Sequence, residues 1–287
     1  MKLYICHVTT YSYGDRAEDS VNEVRLTPRT NYRQSCYHHS ISIEPNAPLF
    51  SYEDGFGNRI HAFTVNRPHT ELTIKATSTV VTHENDGERR RILSPEEDWA
   101  MLASDALQNK FAEYLLPTAF ASIDDDVRHF ASSIVVPGGG AYEAIMETAT
   151  RIYAELEYRP NATGVGTTAG ELLRGGAGVC QDFAHLMIAV CREKGIPARY
   201  VSGYHFIGDL QLRTADFEQA SHAWVEAYVP GTGWLGFDPT NNNRVDGRYI
   251  KLGHGRDYAD IVPVKGIYRG TSNQKLDVRV DVRRMEK

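Results

Sequence analysis

Three residues whose side chains could together perform nucleophilic catalysis occur in the order Cys180, His222 and Asp238. The thiolate is the reactive form of cysteine, but a free thiol, with a pKa of roughly 8.5, is mostly protonated near neutral pH. A neighbouring imidazole can stabilise the thiolate and later protonate a leaving amine, and a carboxylate can orient that imidazole. These residue types predict a thiol enzyme that acts on amide or ester carbonyls.

The segment after Cys180 predicts a helix that begins at the cysteine. Apolar side chains recur there at helical spacing, at Phe183, Leu186, Met187, Val190 and Cys191. Gly195 and Pro197 predict the end of the helix. Because a helix N-terminus stabilises an anion, this position favours the Cys180 thiolate. The alternative interpretation is a small buried apolar side chain, which we predict for Cys6, Cys36 and Cys191.

A predicted hairpin brings His222 and Asp238 together. The alternation that starts at His222 predicts one strand, and residues 233–238 predict the next. Val229-Pro-Gly-Thr-Gly between them is typical of a turn. The start of the first strand then lies beside the end of the second, so we expect the two side chains to be neighbours.

Other residues near these motifs receive supporting roles. Asp182 is predicted to cap the helix or to accept a hydrogen bond that supports the catalytic residues. Helical geometry turns His185 away from the thiol, so we predict that it packs in the core or contacts the catalytic residues from the side away from the substrate. Trp224 shares a sheet face with His222 and is predicted to line a substrate groove, together with Tyr204 and Tyr258.

Further positions are predicted as follows. We expect Trp234 to be packed in the core. Residues 241–243 and 254–258 are predicted loops that could carry specificity elements.

These motifs resemble the transglutaminase-like superfamily of papain-related thiol enzymes, and more closely its bacterial members with a β-rich N-terminal region. The segments that carry this resemblance include Gly178-Val-Cys-Gln-Asp, Ser221-His-Ala-Trp-Val-Glu, Trp234-Leu-Gly-Phe-Asp-Pro-Thr, Asn22-Glu-Val-Arg-Leu-Thr-Pro-Arg and Asp54-Gly-Phe-Gly-Asn.

The resemblance implies Cys180 as nucleophile, His222 as general acid and base, and Asp238 as the orienting residue. It also implies an oxyanion hole formed by the backbone N–H of the nucleophile and a second donor, for which Tyr158 is a candidate. Gln181, Trp224 and Tyr204 are further candidates for oxyanion or substrate contacts. The direction of the reaction stays open, because such relatives include cross-linkers, amidases, peptidases and deglycosylating enzymes.

A chain of 287 residues predicts two domains. Residues 1–84 are predicted as an all-β, sandwich-like module. Residues 85–287 are predicted as an α+β catalytic domain of transglutaminase-like, papain-like type, with helices within 94–194 and then an antiparallel sheet. The predicted helices include one continuous helix over residues 94–115 and one over residues 141–156.

Composition argues against several other classes of protein. The net charge of −6 without a basic run predicts no nucleic-acid binding. Four cysteines without C-x-x-C spacing predict neither a disulfide framework nor a metal site, and Cys180, His185, Cys191 and His222 lack the spacing of a zinc site. No cofactor is predicted.

The sequence also favours a location. No apolar run approaches 18 residues, which predicts no membrane span. The first residues predict a strand rather than a signal peptide, which favours the reducing cytoplasm.

Three functions fit these features. The first is a cysteine-dependent hydrolase of peptide or isopeptide amide bonds, which is favoured because nothing marks a water-poor amine site. The second is an amine acyltransferase of the cross-linking type. The third is a non-catalytic binding or scaffold protein that retains the fold. The oligomeric state is not determined by the sequence.

Overall fold

The computed structural model describes residues 1–83, 93–208, 221–270 and 273–285. Its strands are β1 (Lys2–Val24), β2 (Gln34–Glu44), β3 (Phe50–Glu53), β4 (Arg59–Val65), β5 (His69–Thr82), β6 (Glu157–Tyr158), β7 (Ala177–Gly178), β8 (Ala198–His205), β9 (Ser221–Val229), β10 (Gly233–Asp238), β11 (Asn243–Arg244), β12 (Tyr249–Gly255), β13 (Val264–Arg269) and β14 (Gln274–Arg284). Its α-helices are α1 (Pro95–Leu102), α2 (Asp105–Lys110), α3 (Asp125–Ser133), α4 (Ala141–Glu155), α5 (Ala169–Gly175) and α6 (Cys180–Glu193).

The N-terminal region is one curled sheet with strand order β2-β5-β1-β4-β3. Strand β1 is long enough to serve both halves of this sheet. Residues 2–12 of β1 pair with β5, and residues 20–24 pair with β4. Between the two halves the register shifts between Ser12 and Ala17, as at a β-bulge. The predicted β-rich module is confirmed, and it consists of a single sheet whose two halves share β1.

The last two strands of the described chain also belong to this sheet. Strand β14 pairs with β1 along residues 3–13, and β13 pairs with residues 18–24 of β1. The division of the sequence after residue 84 stays a prediction. The strand pairing nevertheless places residues 264–269 and 274–284 with the N-terminal module rather than with the predicted catalytic region.

A helical layer packs around α6, which is buried from Asp182 to Arg192. The helix ends where predicted, with Lys194 at its C-cap and Gly195 at a φ of 73°. The single helix predicted over residues 94–115 is wrong, because α1 ends at Leu102. The Ser104 hydroxyl donates to the carbonyl of Met101 at 2.7 Å, and a second short helix follows.

The second sheet has the strand order β11-β10-β9-β8-β12 and is antiparallel throughout. Its β9–β10 hairpin is the predicted one. Side-chain amides attach this sheet to the N-terminal module. Gln34 bonds both the backbone N–H and the carbonyl of Lys251, and Asn58 does the same at His254, with all four hydrogen bonds between 2.8 and 2.9 Å.

We expect Gly203→Ala to destabilise the protein by about 2 kcal/mol or more, because overpacking a filled site forces backbone or ring shifts. A Cβ at Gly203 on β8 would overlap the carbonyl oxygen of Ile250 and the ring of Trp224. Chemical denaturation measures the change in the free energy of unfolding.

Gly55→Ala is the matched control, since nothing lies within 4 Å of a Cβ built there. Equal stability of the two variants would contradict the tight packing at Gly203.

Candidate active site

Cys180 is the first residue of α6, and Asp182 fixes the turn that leads into the helix. The Asp182 carboxylate accepts hydrogen bonds from the backbone N–H of Val179 at 2.9 Å and from the Thr163 hydroxyl at 2.5 Å. Gly178 is needed here, because a Cβ would overlap Leu172 and the Asp182 carboxylate. The predicted capping role of Asp182 is therefore present, and it also attaches the loop around Thr163.

The β9–β10 hairpin brings His222 to Asp238. The Nε2 of His222 lies 2.7 Å from an Asp238 carboxylate oxygen. The Cys180 thiol also contributes to the raised pKa of His222. Because Nε2 faces Asp238, the other ring nitrogen, Nδ1, is the atom left for the thiol. The structure thus joins His222 to Asp238 by a hydrogen bond and brings Cys180 next to that pair.

Asp238 is fully buried and receives five hydrogen bonds. Its Oδ1 accepts from the backbone N–H groups of Thr240 and Asn241, at 2.8 and 3.3 Å. Its Oδ2 accepts from His222, from the Asn241 side chain at 2.6 Å and from the Tyr249 hydroxyl at 2.7 Å. A buried carboxylate stays ionised only when donors and a counter-charge replace water.

The pKa values of the pair move in opposite directions. Burial alone would lower the pKa of His222, but its hydrogen bond to Asp238 and its interaction with Cys180 raise it above the ordinary value. Burial alone would raise the pKa of Asp238, but its bond to His222 holds it below the ordinary range. The favoured state is an imidazolium beside a carboxylate, which suits the stabilisation of a thiolate at Cys180.

His205 and Tyr249 form the wall of the site beside His222. The His205 ring stacks on Tyr249 with centroids 4.2 Å apart and lies 5.5 Å from the His222 ring. Burial and repulsion by His222 lower the pKa of His205 to about 4, so it is neutral next to the imidazolium.

Two predicted groove residues are corrected by the structure. Trp224 shares the sheet face of His222 as expected, with rings 6.4 Å apart, but it is only 1 % exposed and packs beneath Gly203. Tyr204 is also 1 % exposed, and its hydroxyl bonds His7 at 2.9 Å in the N-terminal core. Neither side chain is accessible to a substrate, because Tyr204 packs in the core of the N-terminal module and Trp224 packs against Val201, Val245 and Tyr249.

Tyr158 and Gln181 lie close to Cys180. Tyr158 is 44 % exposed and pairs with Gly178, two residues before Cys180. The Gln181 side chain donates to the carbonyl of Val165 at 3.1 Å. Tyr258 is half-buried, and its ring lies 6.1 Å from that of Tyr200. The substrate and oxyanion roles of Tyr158, Gln181 and Tyr258 stay predictions.

His185 and Trp234 are structural. His185 is fully buried, stacks on Phe120 at 5.2 Å and accepts a hydrogen bond from the backbone N–H of Tyr258 at 3.2 Å. Trp234 packs in the core beneath the guanidinium of Arg199, which lies 4.2 Å from the ring centroid. Both placements agree with the sequence-based expectation.

Residues of the predicted specificity loops form hydrogen bonds with Asp238 and Tyr249. Asn241 holds Asp238, and Asn243 lies 3.0 Å from the Tyr249 hydroxyl. His254 is in β12 rather than in a loop, and Arg29 and Arg199 contact its two ring nitrogens at 3.2 and 3.1 Å. Sequence analysis missed Tyr249 and His205, because no local pattern shows which residues of other strands surround Asp238.

Comparisons with known proteins agree with this architecture. The family model described as "Bacterial transglutaminase-like N-terminal region" matches residues 3–81, and the model "Transglutaminase-like superfamily" matches residues 128–239. The chain belongs to the transglutaminase-like superfamily, in the group with the bacterial N-terminal region. Among the described residues, none of the helices has the length and apolar character needed to cross a membrane.

Particular relatives are similar over nearly the whole chain. An uncharacterized protein of Mycobacterium leprae is 37 % identical over 284 residues, covering 99 % of each chain. The solved structure of a candidate cysteine protease from Cytophaga hutchinsonii has the same fold, with a TM-score of 0.79 at 24 % identity, covering all of this chain and 91 % of the other. A protein-glutamine gamma-glutamyltransferase of Pseudomonas aeruginosa is 40 % identical over 87 residues, which are 29 % of this chain and 13 % of the transferase.

We expect iodoacetamide to modify Cys180 faster than the other three cysteines at neutral pH, because Cys180 begins a helix and lies beside the His222 imidazole. Burial raises the pKa of Cys191 to about 12 and also raises that of Cys36. Mass spectrometry of tryptic peptides gives the rate at each site.

Asp238→Asn is expected to slow the modification of Cys180 by about tenfold or more, because it removes the charge that favours the imidazolium. The Cys6 rate serves as an internal control. If Cys180 reacted no faster than Cys6, its activation by His222 would be excluded.

Proposed function

We propose that this protein is a cysteine-dependent hydrolase of amide bonds in peptides or proteins, with Cys180, His222 and Asp238 as its catalytic triad. The observation that carries the proposal is the buried His222–Asp238 pair, whose Nε2–Oδ2 distance is 2.7 Å and whose imidazole lies beside the Cys180 thiol. Membership of the transglutaminase-like superfamily supports the same chemistry.

In the proposed reaction the Cys180 thiolate attacks the amide carbonyl and forms a tetrahedral oxyanion. As the first residue of α6, Cys180 has a backbone N–H without an intrahelical partner, and this group can donate to the oxyanion. The His222 imidazolium gives its Nδ1 proton to the leaving nitrogen as the C–N bond breaks. A thioester on Cys180 and a free amine result.

Water completes the cycle. Neutral His222 takes a proton from the attacking water, the thioester carbonyl forms a second tetrahedral intermediate, and the thiolate leaves as the acid product forms. Asp238 keeps Nε2 protonated throughout and stabilises the imidazolium charge. The five donors around Asp238 keep the carboxylate in place, so the ring has one orientation toward the thiol.

An amine acceptor is the second candidate. The acyl-enzyme is the same, and an amine rather than water attacks the thioester. The observation that favours it is the 40 % identity over 87 residues to a protein named a protein-glutamine gamma-glutamyltransferase.

We propose a peptide or protein as the substrate and the cytoplasm as the location. Four free cysteines support a reducing compartment.

With p-nitrophenyl acetate as a general acyl donor, we expect a burst of about one equivalent of p-nitrophenolate per chain, because acylation of a thiol precedes slower hydrolysis. Mass spectrometry then locates the acetyl group on Cys180. Cys180→Ala should lose the burst and keep its melting temperature, and the matched variant Cys36→Ala should keep both. A burst retained by Cys180→Ala would refute the proposed nucleophile.

The acceptor is identified with casein as acyl donor and dansylcadaverine as amine. Hydrolysis predicts peptide cleavage or deamidation of glutamine, detected by mass spectrometry, with little fluorescent label in the protein. Acyl transfer predicts label incorporation that rises with amine concentration at the expense of hydrolysis. If label incorporation exceeded hydrolysis at low amine concentration, the amine acyltransferase would become the favoured function and the hydrolase the second candidate.

A further inference from the structure

Three side chains with metal-ligating atoms converge at one end of the second sheet. One imidazole nitrogen from each of His205 and His222 and a carboxylate oxygen of Asp238 lie within 4.8 Å of one another, and the three residues are buried. They come from β8, β9 and β10, which are adjacent strands, so the backbone of the sheet fixes their spacing.

His205 has a polar atom that the protein leaves unsatisfied. Its Nε2 is buried and has no hydrogen-bond partner among the described residues. The residue is 8 % exposed, and stacking on Tyr249 fixes its ring. An unpaired buried nitrogen destabilises the folded protein, and a ligand that binds it relieves this cost.

We propose that His205, His222 and Asp238 form a binding site for a divalent transition-metal ion, with Zn²⁺ the best match. Two imidazole nitrogens and one carboxylate oxygen are ligands that Zn²⁺ accepts, whereas Ca²⁺ and Mg²⁺ prefer oxygen ligands alone. Three protein ligands would leave one coordination position for water.

The spacing fits with small adjustments. Zinc bonds of about 2.0–2.2 Å in a tetrahedron place ligand atoms about 3.4 Å apart. The His222–Asp238 contact of 2.7 Å must therefore open slightly, and the His205 nitrogen must approach. The ion takes the place of the proton on Nε2 of His222, and that proton leaves to solvent.

The surrounding groups support such a site. The backbone N–H groups of Thr240 and Asn241 hold one oxygen of Asp238, and the other faces Nε2 of His222 while the Asn241 side chain and the Tyr249 hydroxyl also donate to it. Outer hydrogen bonds of this kind orient metal ligands. Cys180 is not part of the set, because it lies on the Nδ1 side of His222.

An ion at this position controls catalysis, and this consequence rests on the proposed function. With a metal on Nε2, His222 cannot become the imidazolium that protonates the leaving amine, and Asp238 no longer orients a protonated ring. The metal-bound protein is therefore an inactive form from which a chelator restores activity.

The binding test uses Zn²⁺ itself in competition with a chromophoric chelator. We expect one ion per chain for the wild type and for Cys180→Ala, and affinity reduced by at least about tenfold in His205→Gln, since the loss of even an outer ligand partner costs 10–100-fold. His205→Asn is the second variant. His39→Gln is the matched control, because His39 also has a histidine neighbour, His61, at 5.8 Å. Metal-free melting curves establish that each variant is folded.

Two binding results would overturn the proposal. One is wild-type affinity in both folded His205 variants. The other is loss of binding in Cys180→Ala, which would assign the ion to the thiol.

The acyl burst separates this proposal from the proposed function. Zn²⁺ should suppress the wild-type burst, and EDTA should restore it. The zinc concentration that suppresses the burst should be at least about tenfold higher in His205→Gln than in the wild type. Each variant is compared with its own zinc-free burst. No burst in zinc-free protein would refute the proposed function and leave the binding result standing. A normal burst in saturating zinc would refute the inhibitory role.

Discussion

The burial of one carboxylate, Asp238, is the constraint that organises the second half of this molecule. A charge removed from water is stable only when donors replace its hydration. The turn after β10 supplies two backbone N–H groups, Asn241 and Tyr249 supply side-chain donors, and His222 supplies the opposite charge. The hairpin, the turn and β12 must therefore be in place together before the His222 ring has a defined position.

Strand alternation connects this site to the N-terminal module. On β8, Tyr204 packs in the N-terminal core while the next residue, His205, lies beside His222. On β12, Ile250 packs in the same core while Tyr249 bonds Asp238. Because neighbouring side chains on a strand point to opposite faces, the N-terminal sheet supports the wall of the site without contributing to it directly. This gives the module a structural role that its own sequence does not indicate.

Local patterns in the sequence were sufficient to bring Cys180, His222 and Asp238 together and insufficient to identify the residues around them. The helix at Cys180 and the hairpin that joins His222 to Asp238 follow from periodicity and turn residues close together in the chain. Tyr204 and Trp224 were wrongly assigned to a groove, because their burial depends on residues distant in sequence, in the N-terminal core for Tyr204 and at Val201, Val245 and Tyr249 for Trp224. The pairing of β14 with β1 joins residues 3–13 to residues 274–284, and no local pattern encodes a partner so distant in sequence.

That pairing has a consequence for how the protein is made. Strand β1 leaves the ribosome before β14, so residues 3–13 find one of their two neighbours only when β14 has been synthesised. Until then an apolar strand edge is open, and an open edge can pair with another chain. The order of synthesis therefore delays the closing of the N-terminal sheet until after the helices and the second sheet have emerged. The nascent chain would benefit from a chaperone that covers this edge.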